Sequence, residues 1–217
     1  MLLCKYFVFI HFPRTGGTFI RETLARHIPD DWEVTVSPGH ATVREISTKY
    51  SAVPRFGFIR NPWDWYVSLY SGWRAVSAKD PSAFRGHVIE KVVAVSSDNS
   101  FKTIIGNMLR FPPLEKEGIG PMTWLYMNMY GLTPENLERD PENLTIKKFE
   151  GIRENIIEML TAVGAPVSRA LKDAVQHDPP TDTFERTSYQ DYYDDELRAL
   201  VARKDRAILQ KYSYSYD

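Results

Sequence analysis

Cysteine is nearly absent from this chain. Cys4 is the single cysteine among 217 residues, so no disulfide can form within the chain. A lone thiol beside an apolar run reads as a small core residue, because no pattern of basic neighbours marks it as reactive. Long hydrophobic runs are lacking too. The opening stretch MLLCKYFVFIHF is too short to span a bilayer, is interrupted by Lys5, and lacks a small-residue cleavage site. It reads as the first buried strand. No later segment approaches a membrane span, and the expected location is cytoplasmic. Charge of one sign is not in excess: 27 basic residues face 28 acidic ones, for a net charge of −1. That argues against a general nucleic-acid binder, which needs a basic face. It leaves room for a local anion pocket. No His, Cys, Asp and Glu stand at metal-ligand spacing, so no metal is expected.

What is present suits one α/β domain spanning 1–217, with an irregular region over about 75–143. Apolar runs at 5–10, 32–36, 55–59 and 144–149 read as strands. Helical patterns follow from Gly17 to His27, over 41–46, from Pro62 onward, over 82–95, over 150–163 and over 194–211. Pro38-Gly39 breaks the chain before the short 41–46 helix, and 110–121 reads as a long loop. A polar loop runs over 176–190. Strand, turn and helix thus recur three times in the first third. This is the pattern of a parallel sheet flanked by helices, whose ligands sit at the carboxyl ends of the strands.

Two strand ends carry anion chemistry. The turn Pro13-Arg14-Thr15-Gly16-Gly17-Thr18 joins an apolar strand to a helix. Glycines let backbone N–H groups close on an anion, and the helix N-terminus adds partial positive charge. Arg14 supplies a fixed charge, and Thr15 and Thr18 supply hydroxyls. The spacing and lysine of G-x-x-x-x-G-K-[ST] are missing, so the turn is built like a P-loop without being one for ATP. The second end is FIRNPWDWYVSLY, where Arg60 leaves a strand and Ser68 follows two helical turns later. An arginine and a hydroxyl so placed can hold a second phosphate.

These stretches together resemble the sulfotransferases that use 3′-phosphoadenosine 5′-phosphosulfate (PAPS). FIHFPRTGGTF is similar to their 5′-phosphosulfate loop, Pro13 to Phe19 in this chain. FIRNPWDWYVSLY resembles their 3′-phosphate motif, with Arg60 and Ser68 at the matching positions. SPGHATVREI resembles the segment that carries a catalytic histidine, here His40. The matches continue in family order through TIKKFE and YQDYYDDEL. The resemblance implies a P-loop-like sulfotransferase fold, PAPS as donor and adenosine 3′,5′-bisphosphate (PAP) as product. It also implies that Arg186 and Ser188 border the nucleotide. Arg14 stands where the family usually has lysine; it keeps the charge with a different geometry.

Sulfuryl transfer needs a base for the acceptor hydroxyl, and a near-neutral pKa favours histidine. Of the five histidines, His27 and His87 read as lying on polar helix faces and His177 in a loop. His11 ends the first strand and is expected to orient the loop. His40 is the expected general base, with Glu45 in reserve. The acceptor is expected to be a small molecule, a carbohydrate or a lipid-like compound, recognised by the irregular middle. Two other readings predict different behaviour. A P-loop-like nucleotide kinase or ATPase would bind ATP with Mg²⁺. A non-catalytic PAP-binding module would not need His40.

Overall fold

The computed structural model describes residues 1–217 except 38, 85–86, 112–117, 182 and 185. Outside the described residues therefore lie Pro38 of the expected chain break, part of the expected 82–95 helix, half of the expected 110–121 loop, and two residues of the polar 176–190 loop. In chain order the elements are β1 (Leu2–Leu3), β2 (Val8–Ile10), α1 (Gly17–His27), β3 (Thr35–Val36), β4 (Arg55–Ile59), α2 (Pro62–Lys79), α3 (Val88–Ala94), α4 (Phe101–Leu109), α5 (Pro121–Tyr130), β5 (Leu144–Lys148), α6 (Ile152–Ala162), α7 (Arg169–His177), α8 (Asp195–Lys204) and α9 (Arg206–Lys211). They divide into two compact units, Met1–Arg60 with Tyr126–Thr183, and Asn61–Leu125 with Phe184–Asp217.

The first unit holds a five-stranded sheet of order β3-β1-β2-β4-β5. β2, β4 and β5 run parallel, while β1 pairs antiparallel with both β2 and β3. Alternation sorts the side chains. Phe7, Phe9, Phe56 and Phe58 point to one face and meet Phe19, Ile20 and Leu24 of α1, Ile156, Met159 and Leu160 of α6, and Leu171 and Val175 of α7. Val8 and Ile10 are buried outside that cluster. Each such large side chain contributes about 1.5–3 kcal/mol on burial. Their continuous apolar runs are what a strand covered on both faces requires.

Three expectations are corrected here. The opening segment is not one strand: the Cys4 amide donates to the Phe7 carbonyl (3.0 Å), and the chain folds back so that Leu2 pairs with Phe9. Trp32 is not in a strand either. It closes a 3₁₀ turn over Asp30–Trp32, and Glu33 then takes a left-handed φ of 55°, so only Thr35–Val36 pairs. The 41–46 segment is a single 3₁₀ turn, Val43–Glu45, held by a capping box between Thr42 and Glu45.

In the second unit, Asn61 caps α2 by accepting from the Trp63 amide at 3.1 Å, and Pro62 occupies the first turn. Ser100 and Asp194 cap α4 and α8 in the same way. The single helix expected over 194–211 is broken at Asp205. Its buried carboxylate accepts from the Tyr66 hydroxyl (2.7 Å), the Thr123 amide (2.9 Å) and the Thr123 hydroxyl (2.7 Å). Among the described residues no helix is long and apolar enough to cross a membrane.

Candidate functional site

The carboxyl ends of β2, β4 and β5 meet at one edge of the first unit. Ile59 pairs with Lys148, so the next residues, Arg60 and Phe149, leave the sheet side by side. The Arg60 guanidinium lies over the Phe149 ring, 4.5 Å from its centroid. Its Nη1 donates to the Arg14 carbonyl at 3.1 Å. Arg60 is thus buried at the strand end yet braces the turn that follows β2.

That turn has an alternating backbone. Arg14 has φ 63° and Gly16 φ 70°, both left-handed. Such alternation turns successive N–H groups toward one concave side, and the first-turn amides of α1 have no acceptor within the helix. Gly16 is required twice. Its φ disfavours a side chain, and a Cβ there would lie 2.6 Å from Ile152 and 3.0 Å from Phe149. Gly17 is required by His11: a Cβ would fall 1.7 Å from the imidazole. Thr15 is buried and its hydroxyl donates to the Phe12 carbonyl at 2.7 Å, which closes the turn. What Thr15 can turn toward an anion is its amide. Thr18 is half-buried at the start of α1. Phe19 puts its ring into the core, under the Arg153 guanidinium at 4.8 Å, so it too can offer only its amide.

His40 lies between β3 and the 43–45 turn, in irregular chain rather than at a helix start. Its Nδ1 is 3.1 Å from the His11 carbonyl oxygen, and its ring centroid is 4.5 Å from that of His11. A carbonyl only accepts, so Nδ1 carries the proton and Nε2 keeps the lone pair. Desolvation lowers the His40 pKa from its usual 6.5; the bond to the His11 carbonyl partly offsets this, and the nearby charges of the N-terminus, Arg21 and Arg14 add to the lowering. His40 is therefore a neutral base at pH 7. Glu45 is occupied differently: its carboxylate accepts from the Thr42 amide at 2.7 Å, which holds its pKa down.

His11 is buried, and among the described residues its Nδ1 has no hydrogen-bond partner. Desolvation, with the nearby His40, Arg21 and Arg14 charges, pushes its pKa down to about 3. The unfolded chain takes up this proton near pH 6.5 and the folded chain does not, so His11 contributes stability above about pH 6.5 that is lost as pH falls toward 3. Denaturant midpoints measured across that window should fall in the parent and fall less steeply in His11→Gln. An unchanged slope would show that His11 is not held neutral.

The second unit carries the other expected site residues. Ser68 is buried on α2. Arg186 pairs with Asp64 in the first turn of α2, and the Ser188 hydroxyl bonds the Gln190 side chain. Trp63 is also buried there: its Nε1 donates to the Arg198 carbonyl at 3.1 Å. Among the described residues no group of three or more His, Cys, Asp and Glu could hold a metal ion. Sequence reasoning passed over Phe149, whose signal was its place just after the strand beside Arg60. It also passed over Arg21, four residues beyond Gly17.

No protein-family model matches the chain, and no curated protein matches it. Solved structures do. The mouse sulfotransferase SULT7A1, determined in complex with PAP, superposes with a TM-score of 0.55 over 94% of this chain and 82% of its own, at 12% identity. The chain has a sulfotransferase fold. At that identity the likeness speaks to the fold alone. The braced turn after β2 and the Arg60 strand end lie at the carboxyl ends of the three parallel strands, the edge at which α/β sheets commonly bind ligands.

Proposed function

We propose that the chain is a sulfotransferase, moving a sulfuryl group from PAPS to an acceptor hydroxyl or amine and releasing PAP. The observation that carries this reading is the turn at 13–18. It combines left-handed Arg14 and Gly16, the first-turn amides of α1, which lack acceptors within the helix, and the brace from Arg60. The PAP-bound mouse neighbour supports the choice of nucleotide.

In this reading the amides of Thr15 to Phe19 and the charge of Arg14 hold the 5′-phosphosulfate. Arg60 reads the 3′-phosphate, an assignment that its motif position extends to Ser68. Arg186 and Ser188 are assigned to the nucleotide by their motif alone. The acceptor oxygen attacks sulfur, and the bond from sulfur to the bridging phosphate oxygen breaks. The acceptor proton passes to Nε2 of His40. Preorganised donors stabilise charge growing on the departing phosphate, so no metal is needed. The acceptor is a small molecule, a carbohydrate or a lipid-like compound.

PAP should raise Tm in the presence of EDTA. At a hundredfold excess over Kd the gain is about 2.7 kcal/mol, worth several degrees for a chain of this size. ATP with Mg²⁺ should do far less. Stabilisation by ATP with Mg²⁺ and none by PAP would replace this reading with that of a nucleotide kinase or ATPase.

A further inference from the structure

α1 brings a residue of no assigned role to the base. Gly17 marks the face of α1 that covers His11, since a Cβ there would lie 1.7 Å from the His11 ring. The His40 ring meets that of His11 edge-on, with 4.5 Å between centroids and 62° between planes. Arg21 is one helical turn beyond Gly17, and residues four apart share a face. Arg21 therefore stands on the side of α1 that faces the two imidazoles, half-buried. Its charge acts on both rings. Among the described residues it forms no ion pair. Arg26, further along α1, faces Asp178 instead, and Glu45 is taken by the Thr42 amide.

A half-buried guanidinium beside a neutral base has reason to be there if a ligand brings the counter-charge. We infer that Arg21 anchors the acceptor, and that the acceptor carries an oxyanion, such as a carboxylate or a sulfate or phosphate monoester, beside the hydroxyl that is sulfated. A guanidinium engages such groups with two parallel N–H donors, which fixes orientation as well as position. That would aim the hydroxyl at Nε2 of His40. The inference rests on the sulfotransferase reading and names the acceptor class of the same site.

The test uses a matched pair of phenols, 4-hydroxyphenylacetate and its amide, titrated by NMR into the parent and Arg21→Gln, each with and without saturating PAP. The acid should bind the parent about tenfold more tightly than the amide. In Arg21→Gln the two should bind alike, with PAP affinity unchanged. Three results overturn the inference: acid and amide binding the parent equally, including neither binding; a preference that survives the substitution; or a loss of PAP affinity in Arg21→Gln, which would make Arg21 a donor ligand. A parent that fails to bind PAP counts against the sulfotransferase reading, and the titrations without PAP still decide the role of Arg21.

Discussion

Replacing His40 with alanine should lower kcat by about 10²–10⁴-fold and leave PAP affinity nearly unchanged, the range for a positioned general base. The expectation rests on the hydrogen bond from Nδ1 to the His11 carbonyl, which leaves Nε2 as the basic nitrogen. Because the base acts only as the acceptor proton moves, kcat and kcat/KM should fall together. The pH profile has a definite sign. Desolvation lowers the His40 pKa, so the parent's rate should rise with pH through a midpoint below the ordinary histidine value of 6.5 and be flat by neutrality. Glu45→Gln should stay within a few-fold of the parent, since Glu45 serves the capping box. A His40→Ala protein within a few-fold of the parent would remove His40 from the mechanism.

Arg60→Ala should weaken PAP binding by about tenfold to a hundredfold. Charge-assisted hydrogen bonds to phosphate are worth roughly 1.5–3 kcal/mol, and about 1.4 kcal/mol is tenfold in Kd. The substitution also removes the bond to the Arg14 carbonyl, so the turn loses its brace. Adenosine 5′-phosphosulfate lacks the 3′-phosphate and should lose affinity only through that second effect, hence less. Arg60→Lys keeps the charge but loses the planar contact with Phe149, and should fall between the parent and alanine. Calorimetric titrations of the three proteins with both nucleotides check this. Equal losses for the two nucleotides in Arg60→Ala would show that Arg60 does not read the 3′-phosphate.

The elements that position the site were the most legible part of the sequence. β4 was read at its observed bounds, and α1 from its glycine turn to His27, because both combine strong apolar patterning with sharp local stops. Asn61-Pro62 announced α2 through its cap. Less visible was whatever depends on a distant partner. Nothing local shows that Gly17 makes room for His11, or that the His11 carbonyl sets the tautomer of His40, since 29 residues separate the two histidines. The sequence offers the Thr15 hydroxyl as a ligand donor, whereas the fold bonds it to the Phe12 carbonyl. Periodicity also carried the last helix straight through Asp205, whose role depends on Tyr66 and Thr123 far along the chain. Helices α4 and α7 were not read from the sequence at all. Both are only 9 residues long, and α4 falls in the stretch where aromatic and apolar residues mask a single face.

In the proposed function the turn at 13–18 holds the phosphosulfate end of the donor. A ¹⁵N-labelled sample titrated with PAP in EDTA tests it at the residues themselves. Saturable shifts are expected for the Thr15, Gly16, Gly17, Thr18 and Phe19 amides and for the Arg60 side chain, with little response to ATP and Mg²⁺. Saturable PAP binding that leaves those resonances unmoved, or no PAP binding at all, would contradict it.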